Sequence, residues 1–289
     1  MPELPEVEVV KRSLENLIIN LTIKEVKINE INLRYKLNKH EINQLIGLKV
    51  LNIKRRSKYL LFFLTKGIVM IVHLGMTGKF LIVTKDLIKK KTSFYYNIDE
   101  TKDNKHNHVI FIFKNRIKLI YNDVRKFGFI KFDKYNELKK NSHLKHLGPE
   151  PLNNLFNFTY FKKYIKSRNR IIKDLLMDQK FVSGLGNIYT NEILFYSKVR
   201  PARKISKLRD KEIKRIISNT KKILKKAIAK GGSSIKDFSS SSGKAGTFQQ
   251  YFSVYDSKGE NCSNTDCNRT IKKIVLSNRA SFFCPKCQK

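Results

Sequence analysis

Leu147-Gly148-Pro149-Glu150-Pro151-Leu152 divides the chain. Two prolines and a glycine in so short a run deny any regular element its hydrogen bonds, so one domain ends here and another begins. The hydrophobic period changes across it. Upstream, Val26–Ile28, Lys49–Arg55, Tyr59–Leu64, Ile68–His73, Lys79–Val83, His108–Phe113, Ile117–Tyr121 and Phe129–Phe132 are short β-rich runs punctuated by turns such as Lys66-Gly67 and Lys114-Asn115. They predict an antiparallel sandwich or barrel, with Thr84 to Asn107 as a long surface loop. Ahead of them, Val7, Val10, Leu14, Leu17 and Ile18 recur at helical spacing behind Pro5 and the acids Glu6 and Glu8.

Downstream the period is 3.6, over Phe158 to Ile165, Ile171 to Met177 and Ile188 to Phe195. A long stripe of Ile213, Ile216, Ile217, Ile223, Leu224, Ala227 and Ile228 then stops at Gly231-Gly232. This is a helical module. Ser233 to Gly246, rich in serine and glycine, predicts a mobile loop. In the tail, Cys262-x4-Cys267 and Cys284-x2-Cys287 form two close pairs that suit tetrahedral zinc with no vacant position, hence a structural ion. Between the pairs, Ile271 to Leu276 and Ala280 to Cys284 predict a β-hairpin with Arg279 at its tip.

Composition narrows the function. Among 289 residues, 60 Lys and Arg face 24 Asp and Glu, and a net charge of +36 self-repels unless the usual partner is a polyanion. Abundant Asn and Ile beside the lysines assign part of this excess to an A·T-rich genome rather than to function. No apolar run reaches the ~18 residues of a membrane span. The opening Met-Pro-Glu-Leu-Pro-Glu-Val-Glu has carboxylates where a secretory signal has lysines, so a cytoplasmic protein is expected. In a reducing compartment four crowded cysteines read as ligands, not disulfides.

Pro2 permits removal of Met1, leaving a secondary amine with an ordinary pKa of roughly 8 and a useful neutral fraction at neutral pH. An amine attacking a sugar C1′ forms an imine, and Glu3 could supply the proton such chemistry needs. A helix cap with acids at the positive end accounts for the same residues. Lys54 to Lys58 could line a phosphate backbone or a solvated strand edge. Met76, on the glycine-flanked turn His73 to Gly78, could wedge into a base stack or fill a core. Arg125 and Phe127 offer a cation and a ring able to fill the space a flipped base leaves, unless Phe127 is buried. Gly184-Leu185-Gly186-Asn187 opens a helix whose free N–H groups could grip a phosphate.

Taken in order, Met-Pro-Glu-Leu-Pro-Glu-Val-Glu, Arg-Arg-Ser-Lys-Tyr-Leu at 55–60, His-Leu-Gly-Met-Thr-Gly at 73–78, His-Leu-Gly-Pro-Glu-Pro-Leu at 146–152, Gly-Leu-Gly-Asn-Ile-Tyr at 184–189, Gly-Gly-Ser-Ser-Ile-Lys-Asp-Phe at 231–238 and the cysteine tail resemble the formamidopyrimidine-DNA glycosylases over essentially the whole chain. The resemblance implies an α+β multidomain fold: an N-terminal antiparallel β-sandwich with flanking helices, a helix-two-turn-helix domain and a C-terminal zinc β-hairpin. DNA would lie in the cleft between the halves. The implied segments are 1–133 for the catalytic sandwich, 134–150 for a linker, 151–238 for the helical domain, 239–253 for a lesion-covering loop and connection, and 254–289 for the hairpin.

It further implies a bifunctional glycosylase and AP lyase of base excision repair that removes oxidised purines such as 8-oxoguanine and formamidopyrimidines. Pro2 would be the Schiff-base nucleophile, Glu3 the general acid, and Glu6 a support for the amine. Lys58 would assist β-elimination, and Arg279 would bind a phosphate linked to δ-elimination. Met76, Arg125 and Phe127 match the residues that fill the flipped base's gap. Asn187, His106 and one of Arg168, Asn169, Arg170 or Lys173 match backbone contacts. The implied cofactor is one structural Zn2+ on Cys262, Cys267, Cys284 and Cys287, and the implied partner is damaged duplex DNA, met by a monomer associated with a bacterial nucleoid. Four positions depart from the common family pattern: the x4 spacing of the first cysteine pair, Asn278, Asp256-Ser257 and Lys126. The related endonuclease VIII branch, which prefers oxidised pyrimidines, and a non-catalytic zinc DNA binder are the competing expectations.

Overall fold

The computed structural model describes residues 1–83, 104–233 and 248–289 and the backbone of 89–91. It divides into two compact units, Met1–Lys145 with Lys230–Gln249, and His146–Ala229 with Gln250–Lys289. The first division falls just before the Leu147 to Leu152 run. Within the second unit that run is tied down, the Gly148 N–H donating to the Gln179 carbonyl and the Ser183 N–H to the Pro149 carbonyl.

In the first unit, α1 (Leu4–Ile18) precedes β1 (Ile23–Ile28), a short α2 (Lys39–Asn43), β2 (Val50–Arg56), β3 (Tyr59–Leu64), β4 (Ile68–His73), β5 (Lys79–Val83), β6 (Lys89–Lys91), β7 (Asn107–Phe113), β8 (Lys118–Asn122) and β9 (Phe129–Lys134). Two antiparallel sheets result, in the orders β1-β7-β8-β5-β6 and β2-β3-β4-β9. Alternation explains the core. Leu60, Phe62, Met70 and Val72 from one sheet meet Phe80, Ile82, Phe111 and Tyr121 from the other, and α1 adds Val7, Val10 and Leu14 to the same cluster. The intervening Leu61, Val69 and Ile71 face outward into a smaller cluster. Part of the expected surface loop is ordered as β6, which pairs with β5; residues 84–88 and 92–103 lie outside the described residues. Of the expected Ser233 to Gly246 loop, 234–246 lies outside them too, and Phe248–Tyr251 forms a 3-10 turn.

The second unit holds α3 (Phe158–Ile165), α4 (Ile172–Met177), α5 (Asn187–Tyr196), α6 (Asp210–Ala229) and the hairpin β10 (Lys272–Leu276) and β11 (Arg279–Phe283). Along α6 the buried residues Ile213, Ile216, Thr220, Ile223, Leu224 and Ala227 recur every three or four positions, as the stripe predicts. Ser277 and Asn278 both have positive φ, +47° and +58°, the two-residue turn whose twist suits a tight hairpin. No described helix is long and apolar enough to cross a membrane.

Candidate functional site

Glu3 caps α1 and Glu6 closes the capping box, its Oε2 accepting the Glu3 N–H at 2.9 Å. Both carboxylates are buried. The cap reading is therefore correct as geometry, and it fixes the start of the chain. Glu6 does more than cap: its Oε1 accepts from the Ser233 N–H at 2.8 Å and the Ser233 hydroxyl at 2.9 Å, fastening residue 233 to α1. Pro2 is buried, and Lys58, in the turn between β2 and β3, is buried as well.

The Met1 amine is held below its usual pKa, first by burial and then by the Lys58 and Arg125 cations, against the opposing pull of Glu3 and Glu6. Residues distant in sequence thus share one electrostatic neighbourhood. A neutral amine, two carboxyl groups and a lysine can together perform imine chemistry with proton transfers.

The Met76 turn and the Arg125–Phe127 loop are built against each other. Gly75 has φ +64°, and a Cβ there would lie 2.4 Å from the Gly128 nitrogen and the Phe127 carbonyl carbon. Fully buried Asp123 is the knot: its carboxylate accepts from the Thr77 hydroxyl, the Tyr121 hydroxyl at 3.3 Å and the Gly128 N–H at 2.8 Å. The Arg125 N–H donates in turn to the Thr77 hydroxyl at 3.0 Å. With the loops so tied, Arg125 is exposed with its guanidinium 4.5 Å from the centre of the Phe127 ring, Phe127 is 44% exposed and Met76 is half-buried. His106, half-buried, joins the same corner through its carbonyl, which accepts the Asp123 N–H.

His73 anchors the turn from below. Its Nδ1 accepts the Gly75 N–H at 3.0 Å and its ring stacks on Phe129. Burial, with Lys58, Arg34 and His143 nearby, pushes its pKa down to about 4. The unfolded chain has the ordinary value near 6.5, so on acidification the unfolded state takes up the proton first. Stability from this group is whole above pH 6.5 and is lost as pH falls to about 4, a share of about 3 kcal/mol. Urea unfolding between pH 7 and 4 should show this slope, and His73→Asn should flatten it.

In the second unit the hairpin is moored to the helices by polar groups, most of them buried. The Lys173 ammonium donates to the Ala280 carbonyl at 2.8 Å and to the Ser281 hydroxyl, and the Ser277 hydroxyl donates to Asp174 at 2.7 Å. Asn191 accepts the Phe282 N–H at 2.8 Å, while Glu192 takes three N–H groups, from Ser253, Val254 and Tyr255. Burial raises the Glu192 pKa, and those three donors oppose the rise.

The residues expected to touch DNA from this unit divide accordingly. Arg168 and Asn169 are exposed, with Arg168 stacked over the Tyr164 ring. Asn187, half-buried, opens α5. Arg170 is engaged with Asp178 at 2.6 Å. Lys173 departs from the expectation of a surface contact: it is fully buried, and its ammonium faces the hairpin, because its short helix turns that side toward β11. Burial lowers its pKa to about 8. Arg279 is exposed at the start of β11.

The four cysteine sulfur atoms lie within 4.8 Å of one another, with Cys262 to Cys287 at 3.8 Å and Cys267 to Cys284 at 3.5 Å. The x4 spacing does not prevent this convergence. Such a cluster can hold a metal ion. The sequence carries no signal for the role of Asn191, and for the carboxylates of Asp123 and Glu192 its one signal is a charge set in apolar surroundings.

Residues 1–130 match the family model for the formamidopyrimidine-DNA glycosylase N-terminal domain, and residues 147–239 match the model for its H2TH domain. Among curated proteins, the chain is 39% identical to formamidopyrimidine-DNA glycosylase of Rhodopseudomonas palustris, covering all of both, and 40% identical to that of Rickettsia felis, covering 100% of this chain and 98% of the relative. Among solved structures it is similar, with a TM-score of 0.86 and 33% identity over the full length of both, to a Lactococcus lactis Fpg mutant in complex with DNA containing Fapy-dG. With both domain models matched in order and relatives aligned end to end, the chain belongs to the formamidopyrimidine-DNA glycosylase family.

Proposed function

We propose that the chain is a bifunctional DNA glycosylase and AP lyase of base excision repair that removes oxidised purines from duplex DNA. The observation that carries this reading is Pro2, buried directly ahead of the buried carboxylates of Glu3 and Glu6, with buried Lys58 and with Arg125 acting on the same chain start. After removal of Met1, the Pro2 nitrogen attacks C1′ of the damaged nucleotide. The C1′–N bond to the base breaks and its electron pair leaves with the base, the attacking amine gives up its proton, and Glu3 protonates the ring oxygen as the C1′–O4′ bond opens. The resulting iminium acidifies the C2′ proton. Lys58 assists its removal, the 3′ phosphate departs by β-elimination, and δ-elimination then expels the 5′ phosphate, whose position Arg279 supports. Met76, Arg125 and Phe127 occupy the gap in the duplex, with Asp123 and Thr77 as positioning residues behind them. Asn187, His106, Arg168 and Asn169 contact the DNA backbone.

Cys262, Cys267, Cys284 and Cys287 would hold one zinc ion. Metal–sulfur bonds of about 2.3 Å set tetrahedral sulfur atoms about 3.8 Å apart, and Cys262 and Cys287 lie at 3.8 Å while all four sulfur atoms fall within 4.8 Å of one another. Four thiolates leave no open position, so the ion supplies structure, not chemistry.

Borohydride trapping on paired duplexes tests the reading. An 8-oxoguanine duplex should give a covalent adduct about tenfold faster than a thymine glycol duplex, and mass spectrometry should show the adduct on a chain lacking Met1. Preference for thymine glycol would move the chain to the pyrimidine branch. No adduct on either would leave a DNA-binding protein without lyase activity.

A further inference from the structure

The basic run Lys54 to Arg56 is not absorbed by the site above, and it borders a groove of about 730 Å3 on the outer face of the β2-β3-β4-β9 sheet. Strand alternation explains why it is apolar: Leu60 and Phe62 fill the core, which turns Leu61 and Phe63 outward. Leu138 and Leu144 pack on that face and complete the floor. Tyr135, 62% exposed, stands at the edge of the Phe63 ring with centroids 5.7 Å apart.

The rim is cationic. Lys54, Arg56, Lys139 and Lys145 line it together with Arg55, and none of the described lining residues is acidic. Arg55 is taken by Glu8 at 2.8 Å, and Glu137 of the Tyr135–Lys140 turn pairs with Lys140. Lys54, Lys139 and Lys145 border the apolar floor.

We propose that this groove docks an acidic segment of a partner protein, with an aliphatic or aromatic anchor set between carboxylates. Burial of the anchor on Leu61, Phe63, Leu138 and Leu144 supplies affinity, and the rim cations orient the flanking acids and speed encounter. DNA fits less well. Phosphates gain nothing from a leucine floor, and a base finds no clear platform, because the Lys54 ammonium lies 5.3 Å from the Phe63 centroid and Tyr135 covers that ring's edge.

The test uses the full chain and a fluorescein-labelled octapeptide, Glu-Asp-Asp-Leu-Asp-Phe-Asp-Glu, read by anisotropy at 150 mM salt. Micromolar binding is expected, weakened about tenfold when the peptide's Leu and Phe are replaced by Ser. The double variant Tyr135→Ser with Lys139→Glu, at two exposed positions, should lose a similar factor while its melting temperature, lesion-duplex affinity and borohydride trapping stay at the parent level. Equal binding of the serine peptide would reduce the effect to general attraction by a basic chain and overturn the proposal. So would undiminished peptide binding by the variant. Parallel loss of duplex affinity would show instead that the groove is a DNA surface, whether or not the lyase reading holds.

Discussion

Pro2→Gly should lower the borohydride-trapped yield on an abasic duplex about a hundredfold while leaving duplex affinity within a factor of two. An abasic substrate removes base excision from the measurement and isolates attack by the amine. Glycine keeps an amine at the chain start, but loses the ring that fixes the backbone ahead of the Glu3 cap and the second alkyl group that stabilises an iminium. The cations that bring DNA to the surface are untouched, so binding persists.

The pH profile supplies a second readout of the same site. Burial, Lys58 and Arg125 hold the Met1 amine below its ordinary value, and a Pro2 amine exposed to the same cations should place the acid limb of trapping below pH 8. Lys58→Gln removes a cation that opposes protonation, so the limb should move toward higher pH. A variant Pro2→Gly that traps at the parent rate would remove Pro2 from the mechanism.

The second large effect is expected from Cys284→Ser. Cys284 is fully buried, packed with Phe195, Val254, Ile271 and Phe282, and its sulfur is one of four that converge. Structural zinc sites of this kind contribute about 10–16 kcal/mol to folding, so breaking the set should melt β10 and β11. Lys173 would then lose its Ala280 and Ser281 acceptors and meet water instead, so the damage reaches the side of α4 that the hairpin covers. We expect one zinc per parent chain and none in the variant. Fast amide exchange should appear across the hairpin, with duplex affinity at least tenfold lower as Arg279 loses its platform. Chelation of the parent should reproduce the result. Full affinity in a zinc-free variant would show that the hairpin does not hold the DNA.

The strand runs in the sequence fall within a residue or two of the observed strands, except that β1 extends three residues further back, to Ile23. Alternation and 3.6-residue spacing report which way neighbouring side chains face, and that is fixed by local backbone geometry. The unforeseen α2 is five residues long with a single buried position, Ile42, too short to display a period. β6 is three consecutive lysines, a composition that carries no strand signal and pairs only because β5 offers an edge.

The chain alone determined its division at Leu147 to Leu152, the sandwich before it and the helices after it, the pairing of four cysteines, and an N-terminus rich in proline and acid. What it left open was which charges work and which hold. Lys173 and Arg168 look alike in sequence, yet one is sealed against the hairpin and the other faces solvent. Asp123 becomes a knot only when Thr77, 46 positions away, is brought to it, and Glu6 clamps Ser233 across 227 positions. Tertiary packing decided these roles, because a buried polar group must find its partner wherever the fold delivers one, and no local pattern records where that is.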